Sequence, residues 1–157
     1  MRSAWHAMAN KILVDTNVLV YAYDRTEPDK QARSWDVLDR LVALGLGVVT
    51  PQILGEFFVV TTRKLKKRLA VEKASERVQN YIQTWTVLDH TAFVVQEAIR
   101  GVCDYTMPYY DAQIWAAARL YQIPVVFSEN FDPDSVIEGV RFVNPFADDF
   151  DLDAWVP

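Results

Sequence analysis

Along this chain, short apolar runs alternate with longer stretches of helical period. Ile12-Leu13-Val14 is an unbroken apolar run that stops at Asp15, the pattern of a strand buried on both faces. "TEPDKQARSWDVLDRLVALG", residues 26–45, has helical spacing. Thr26 is placed to cap that helix, Pro28 suits its first turn and Gly45 ends it. Trp35, Leu38, Leu41 and Val42 share its predicted apolar face. "GVVT" is a second strand, and Thr50-Pro51 opens the next helix, with Thr as N-cap and Pro at the first position. A further helix covers roughly residues 69–85, where Val71, Ala74, Val78, Tyr81 and Trp85 keep helical spacing.

The second half repeats the alternation. "TVLD" is a third strand, "TAFVVQEAIRG" a helix closed by Gly101, and "YYDAQIWAAARLYQ" an Ala-rich helix. "IPVVFSEN" is a fourth strand ending in polar residues, and "VRFVNPF" a fifth, short edge strand. Strands separated by helices predict an α/β fold, a parallel sheet with helices on both faces. No repeat, low-complexity segment or linker divides the chain. Residues 10–157 read as one domain, and residues 1–9, with Met8 as an alternative start, have no assigned role.

Composition narrows the class. Of the 157 residues, 51% are hydrophobic and 13% aromatic, enough for a substantial core and unlike a disordered chain. Cys103 is the only cysteine, so no internal disulfide forms. That fits a reducing, cytoplasmic setting, and Cys103 reads as a small core residue. No apolar run reaches the roughly 18 residues of a membrane span, so no membrane partner is expected. The net charge of −5 argues mildly against a nucleic-acid binder, but the charge is unevenly spread. "RKLKKR", residues 63–68, holds five of the 16 basic residues, and "DDFDLD", residues 148–153, holds four acids.

Several acids stand where a purely structural reading is awkward. Asp15 ends the first strand, either as the cap of the next helix or as a member of a site. Glu56 lies within "PQILGEFFVVTT", a helix apolar enough to be largely buried. A Glu there is costly unless it is paired, bound to a metal or facing a cleft. Gly55 beside it allows a close approach of backbone or ligand. Asp111 opens the Ala-rich helix, where an acid also suits the helix dipole. Ser128-Glu129-Asn130 and Asp132 follow the fourth strand. In an open parallel sheet such strand ends and helix starts converge on one edge. Carboxylates pressed together there repel unless a cation lies between them. A hard divalent ion such as Mg²⁺ meets that need and serves phosphodiester hydrolysis.

Other chemistries fit less well. With His6 and His90 the only histidines, a two-histidine ribonuclease and a Ser-His-Asp hydrolase are disfavoured. One Cys and two His do not make an ordinary structural zinc site. No phosphate-binding glycine loop is present. An aspartyl-nucleophile phosphatase would want an Asp where Asn17 stands.

"VDTNVLVYAYD", "QILGEFFVV", "YYDAQIWAAA" and "VVFSEN…EGVRFVNPF", in that order, resemble the PIN domain family, especially VapC-type toxins of toxin–antitoxin pairs. The resemblance spans about residues 11–146. It implies a three-layer α/β/α sandwich with a central parallel sheet, and an endoribonuclease dependent on Mg²⁺ or Mn²⁺. It also implies a homodimer with a cognate antitoxin partner and an RNA substrate. By resemblance Asp15, Glu56 and Asp111 match the metal-binding acids, Thr16 and Asn17 the polar pair behind the first, and Ser128 the hydroxyl supporting it. The chain departs from many relatives in having Asn130 in place of an Asp; Asp132 is then expected to restore the charge, with Asn130 or Asp132 completing the metal shell. Arg63, two helical turns after Glu56, leads a basic stretch expected to grip the RNA backbone with Lys66 and Lys67. Two other readings stand beside this one: a catalytically silent PIN domain that binds RNA or protein, and a receiver-like phosphate-binding α/β domain.

Overall fold

The computed structural model describes residues 8–156; the segment 1–7, with most of the unassigned leader and His6, lies outside them. A six-stranded sheet runs in the order β3-β2-β1-β4-β6-β5. Its strands are β1 (Ile12–Val14), β2 (Gly47–Val49), β3 (Thr86–Val87), β4 (Val125–Phe127), β5 (Val136–Ile137) and β6 (Val140–Val143). The helices are α1 (Thr16–Tyr21), α2 (Pro28–Leu44), α3 (Pro51–Val59), α4 (Val71–Thr84), α5 (Ala92–Tyr105), α6 (Tyr109–Leu120) and α7 (Leu152–Trp155). A π-helical segment, Val60–Lys64, continues α3.

All neighbouring strands pair in parallel except β5, which runs antiparallel to β6. "VRFV" is therefore an inner strand, not the expected edge. Glu138 and Gly139, both at positive φ (47° and 84°), form the two-residue hairpin turn that folds Val136-Ile137 along it. β1 lies at the centre, and the chain then builds outward in both directions. That makes the β1/β4 boundary the topological switch point, where open α/β sheets place their ligands. The register pairs Val14 with Phe127, so Asp15 and Ser128 emerge side by side. Asp15 still donates its N–H to Phe127 O (2.9 Å), and Ser128 to Val143 O (2.9 Å).

The core fixes these positions. Ile12, Leu13 and Val14 are essentially inaccessible, as are Val48, Val49, Val126 and Phe127. α6 buries Ala112, Trp115, Ala116, Ala117 and Ala118 together, and its small residues let it lie close against its neighbours. Trp115 meets Gly101 of α5, where a Cβ would stand 2.9 Å from the indole ring. Gly101 therefore does not end α5, as expected from sequence; it admits the indole, and the helix runs four residues further, to Tyr105. Thr106 ends it in the left-handed conformation (φ 58°).

Other local expectations shift for similar reasons. α2 opens at Glu27 without a side-chain cap, because Thr26 turns its N–H and hydroxyl to Asp24 Oδ1. Its buried stripe is Ser34, Val37, Leu38 and Leu41, rotated away from Trp35 and Val42, which stay exposed. Gly45 closes the helix at φ 65° as expected, and Thr50 caps α3 through Ile53 N–H (3.2 Å). Cys103 is exposed rather than in the core, on the outer face of α5. Among the described residues, no helix is long and apolar enough to cross a membrane.

Candidate active site

Asp15 caps a helix, one of the two roles its sequence position suggested, and it also lines a cleft. As the cap of α1 it accepts Thr16 N–H on Oδ1 (2.7 Å). Its other oxygen accepts the Ser128 hydroxyl (2.7 Å) and, at 3.5 Å, the Asn17 amide. Ser128 Oγ in turn accepts Asn130 N–H (3.1 Å), so the turn after β4 is tied to the same carboxylate. Asp15 is 5% exposed. Burial lifts its pKa from 3.8 to about 6, against the lowering effect of the Ser128 and Thr16 bonds, and the charges of Asp111 and Glu56 add to the rise. The three acids thus feel one another in space although they lie on three separate elements.

Glu56 reaches the same place from α3. It accepts the Thr16 hydroxyl on Oε2 (3.1 Å) and the Gln52 amide, one turn earlier, on Oε1 (2.9 Å). Its acid group is therefore partnered at a cleft edge rather than stranded in the apolar helix. Asp111 stands in the first turn of α6. Burial raises its pKa, the Asn130 side chain draws it back, and Glu56 raises it further.

Two clefts meet along this line. One, of about 380 Å³, is lined by Asp15, Thr16, Asn17, Tyr21 and Asp24 on one side and by Leu65 and Ile114 on the other. The second, of about 700 Å³, is lined by Gln52, Gly55, Val59 and Lys64. Glu56, Val60, Tyr110, Asp111 and Asn130 belong to both. A Cβ on Gly55 would meet nothing within 4 Å, so this glycine widens the cleft and is not required by packing.

The structure sorts the expected residues unevenly. Asp15, Glu56, Asp111, Thr16, Asn17 and Asn130 line the cleft, and Ser128 stands directly behind Asp15. Asp132 does not join them: it is exposed and outside both clefts. Phe131 stacks on Phe142 (ring centroids 3.8 Å apart) and carries the following residues over β6. Glu129 turns away as well, accepting Tyr21 OH (2.6 Å) and Lys30 Nζ (3.0 Å). Arg63 is exposed and absent from the cleft lining, where Lys64 stands instead. A regular helix would carry Arg63, two turns on, to the face of Glu56. The π-helical segment bonds i to i+5, which shifts the face by a residue and brings the eighth position after Glu56 to the cleft. Lys66 and Lys67 are exposed beyond that segment. Lys64, Tyr110, Tyr21 and Gln52 also line the clefts. Tyr110 adjoins Asp111, Gln52 lies one turn before Glu56 and Lys64 falls within the basic stretch, but none of the three breaks an apolar pattern as the acids do.

The donor set is one for a hard cation. The clustered donors are all oxygens, and Asn17 Oδ1 beside them is buried with no partner among the described residues. Among the described residues, no three acids, histidines or cysteines close into a ready-made cage. Protons compete with such an ion for Asp15, with a carboxyl pKa of about 6. Added Mg²⁺ is therefore expected to raise the melting temperature clearly at pH 7.5 and much less at pH 5. Equal shifts in thermal-denaturation scans at the two pH values would rule out Asp15 as a ligand.

Comparison with known proteins agrees with this architecture. The PIN domain family model matches residues 12–138. A toxin–antitoxin complex from Klebsiella pneumoniae superposes with a TM-score of 0.60 at 18% identity, covering 87% of this chain and 98% of that one. VapC20 of Mycobacterium tuberculosis, described as a toxin cleaving the sarcin–ricin loop, gives 0.58 at 20% identity, covering 83% and 99%. VapBC2 from Rickettsia felis, bound to a DNA fragment from its promoter, gives 0.59 at 15% identity, covering 83% and 96%. No curated protein matches the chain in sequence.

Proposed function

The chain belongs to the PIN domain family, and from that premise we propose that it is a divalent-metal-dependent endoribonuclease, the toxin of a toxin–antitoxin pair. One observation carries the reading. Asp15, Glu56 and Asp111, from three elements, line one cleft at the sheet's switch point, and a buried Asp15 is held in place by Ser128 and Thr16.

In this reading Asp15, Glu56 and Asp111 hold Mg²⁺ or Mn²⁺, and Asn130 offers a neutral oxygen. When bound, the ion supplies charge that orients the phosphate, activates water and stabilises the departing oxygen. The other residues act on the acids. Ser128 and Thr16 N–H fix the direction of Asp15, while the Thr16 hydroxyl and Gln52 fix Glu56. Lys64 provides a positive charge on the cleft wall, with Arg63, Lys66 and Lys67 exposed beyond it for more distant phosphates. Asp132, exposed outside the cleft, takes no part. The partners in this reading are an RNA substrate, a cognate antitoxin protein and a second copy of the chain, in the cytoplasm.

A silent RNA- or protein-binding PIN domain is the second reading. It is favoured by Asn130, which brings no charge to the fourth position. Incubation of total RNA with the protein in Mg²⁺ and in EDTA separates the two. Cleavage to 5′-phosphate ends in Mg²⁺ alone is the expected result. Binding without cleavage in both would establish the silent module.

A further inference from the structure

Tyr110 is an aromatic residue that folding leaves outside the core at the centre of the site. It is 64% exposed although it adjoins Asp111 at the start of α6. Its only recorded aromatic contact among the described residues is Tyr109, whose ring meets it edge-on (centroids 5.4 Å apart, 64° between planes). That contact steadies one edge of the ring. The ring stands where the two clefts join, on the wall of both, with Glu56, Asp111 and Asn130.

We infer that Tyr110 is a stacking platform for an unpaired nucleobase beside the scissile phosphate. The inference deepens the nuclease reading and rests on it for the identity of the ligand. A strand crossing the line of acids passes the junction of the two clefts, where Tyr110 stands. Tyr110 is the aromatic side chain common to both. Bases in a duplex are already stacked on their neighbours and do not present a free face, whereas splayed bases in loops stack on exposed aromatics. Such stacking tolerates any base, so Tyr110 sets how the strand lies and not which sequence is read. The charge around it is suited to this division of labour: Glu56 and Asp111 line both clefts with it, and Lys64 lines one of them.

The test compares wild type with Tyr110→Ala, Tyr110→Phe and Tyr110→Trp. The probe is a fluorescein-labelled mixed-sequence oligoribonucleotide, single-stranded or annealed to its complement. Affinity is read by fluorescence anisotropy in EDTA and as the KM of cleavage in Mg²⁺. Tyr110→Ala is expected to weaken single-strand binding roughly tenfold and leave duplex binding unchanged. Tyr110→Phe and Tyr110→Trp, which keep a ring face, should remain within about twofold of wild type. Unchanged binding and KM in Tyr110→Ala would overturn the inference while leaving the nuclease reading intact. An equal loss in Tyr110→Phe would also overturn it, by assigning the contact to the hydroxyl. Tyr110-dependent binding by a wild type that cleaves nothing would support the platform and remove the nuclease. A wild type that neither binds nor cleaves the probe would remove both.

Discussion

Asp15→Asn is expected to abolish RNA cleavage, by roughly a thousandfold or more, while making the metal-free protein more stable. The first effect follows from the loss of a charged ligand at the centre of the acid cluster, where a misplaced ion forfeits several kcal/mol of transition-state stabilisation. The second follows from the environment of the carboxylate. Burial and two like charges lift its pKa from 3.8 to about 6. The folded protein therefore holds this proton more tightly than the unfolded chain does. The stability that the proton contributes is fully present below about pH 4 and lost as pH rises through about 6. At about 1.4 kcal/mol per pH unit, the charged form weakens the fold by up to about 3 kcal/mol at pH 7.5. Asparagine never ionises. It can keep the Thr16 N–H on its oxygen, and its amide can donate to Ser128 Oγ once that hydroxyl turns round and the Asn17 amide flips. The stability gap between variant and wild type, from urea titrations in EDTA, should open between about pH 4 and 6 and then level off. A variant that unfolds, or a gap independent of pH, would make Asp15 a structural cap and nothing more.

Trp115→Ala is the largest expected loss of stability, about 3–5 kcal/mol. The side chain is fully buried, and its indole N–H donates to Ile137 O (3.1 Å), tying α6 to the edge hairpin. Removing it empties a cavity under α5 and leaves the Ile137 carbonyl without that donor. The loss is a large share of the 5–15 kcal/mol that holds a domain of this size, and corresponds to a fall of roughly 10 °C in Tm. Activity should fall too, because Asp111 sits one turn before Trp115 on the same helix and shifts with it. Chemical denaturation checks the first part; a change below about 1 kcal/mol would mean the site collapses around the void at little expense.

What the sequence determined by itself was the set of elements and most of the acids. Ile12-Leu13-Val14, "GVVT" and "IPVVFSEN" are legible as strands because burial on both faces leaves an unbroken apolar run. Asp15, Glu56 and Asp111 are legible because each breaks such a pattern or stands at its end. Gly45 and Thr50-Pro51 carry local backbone chemistry that no distant contact alters. What only the tertiary structure decided was which of these residues meet. The β5–β6 hairpin turned a predicted edge strand into an inner one, since pairing depends on a partner that two residues, Val136 and Ile137, barely announce. Gly101 reads as a helix stop until Trp115 is seen against it. Thr26 reads as a cap until Asp24 takes its donors. Arg63 gave way to Lys64 because a π-helical segment has no signature in apolar spacing yet rotates everything after it. Asp132 and Asn130 are two residues apart and equally eligible by sequence, but the stacking of Phe131 on Phe142 sends one over the sheet and leaves the other at the cleft of Asp15, Glu56 and Asp111. Local periodicity records how each segment buries itself; side chains from separate segments share a site only through the packing of those segments.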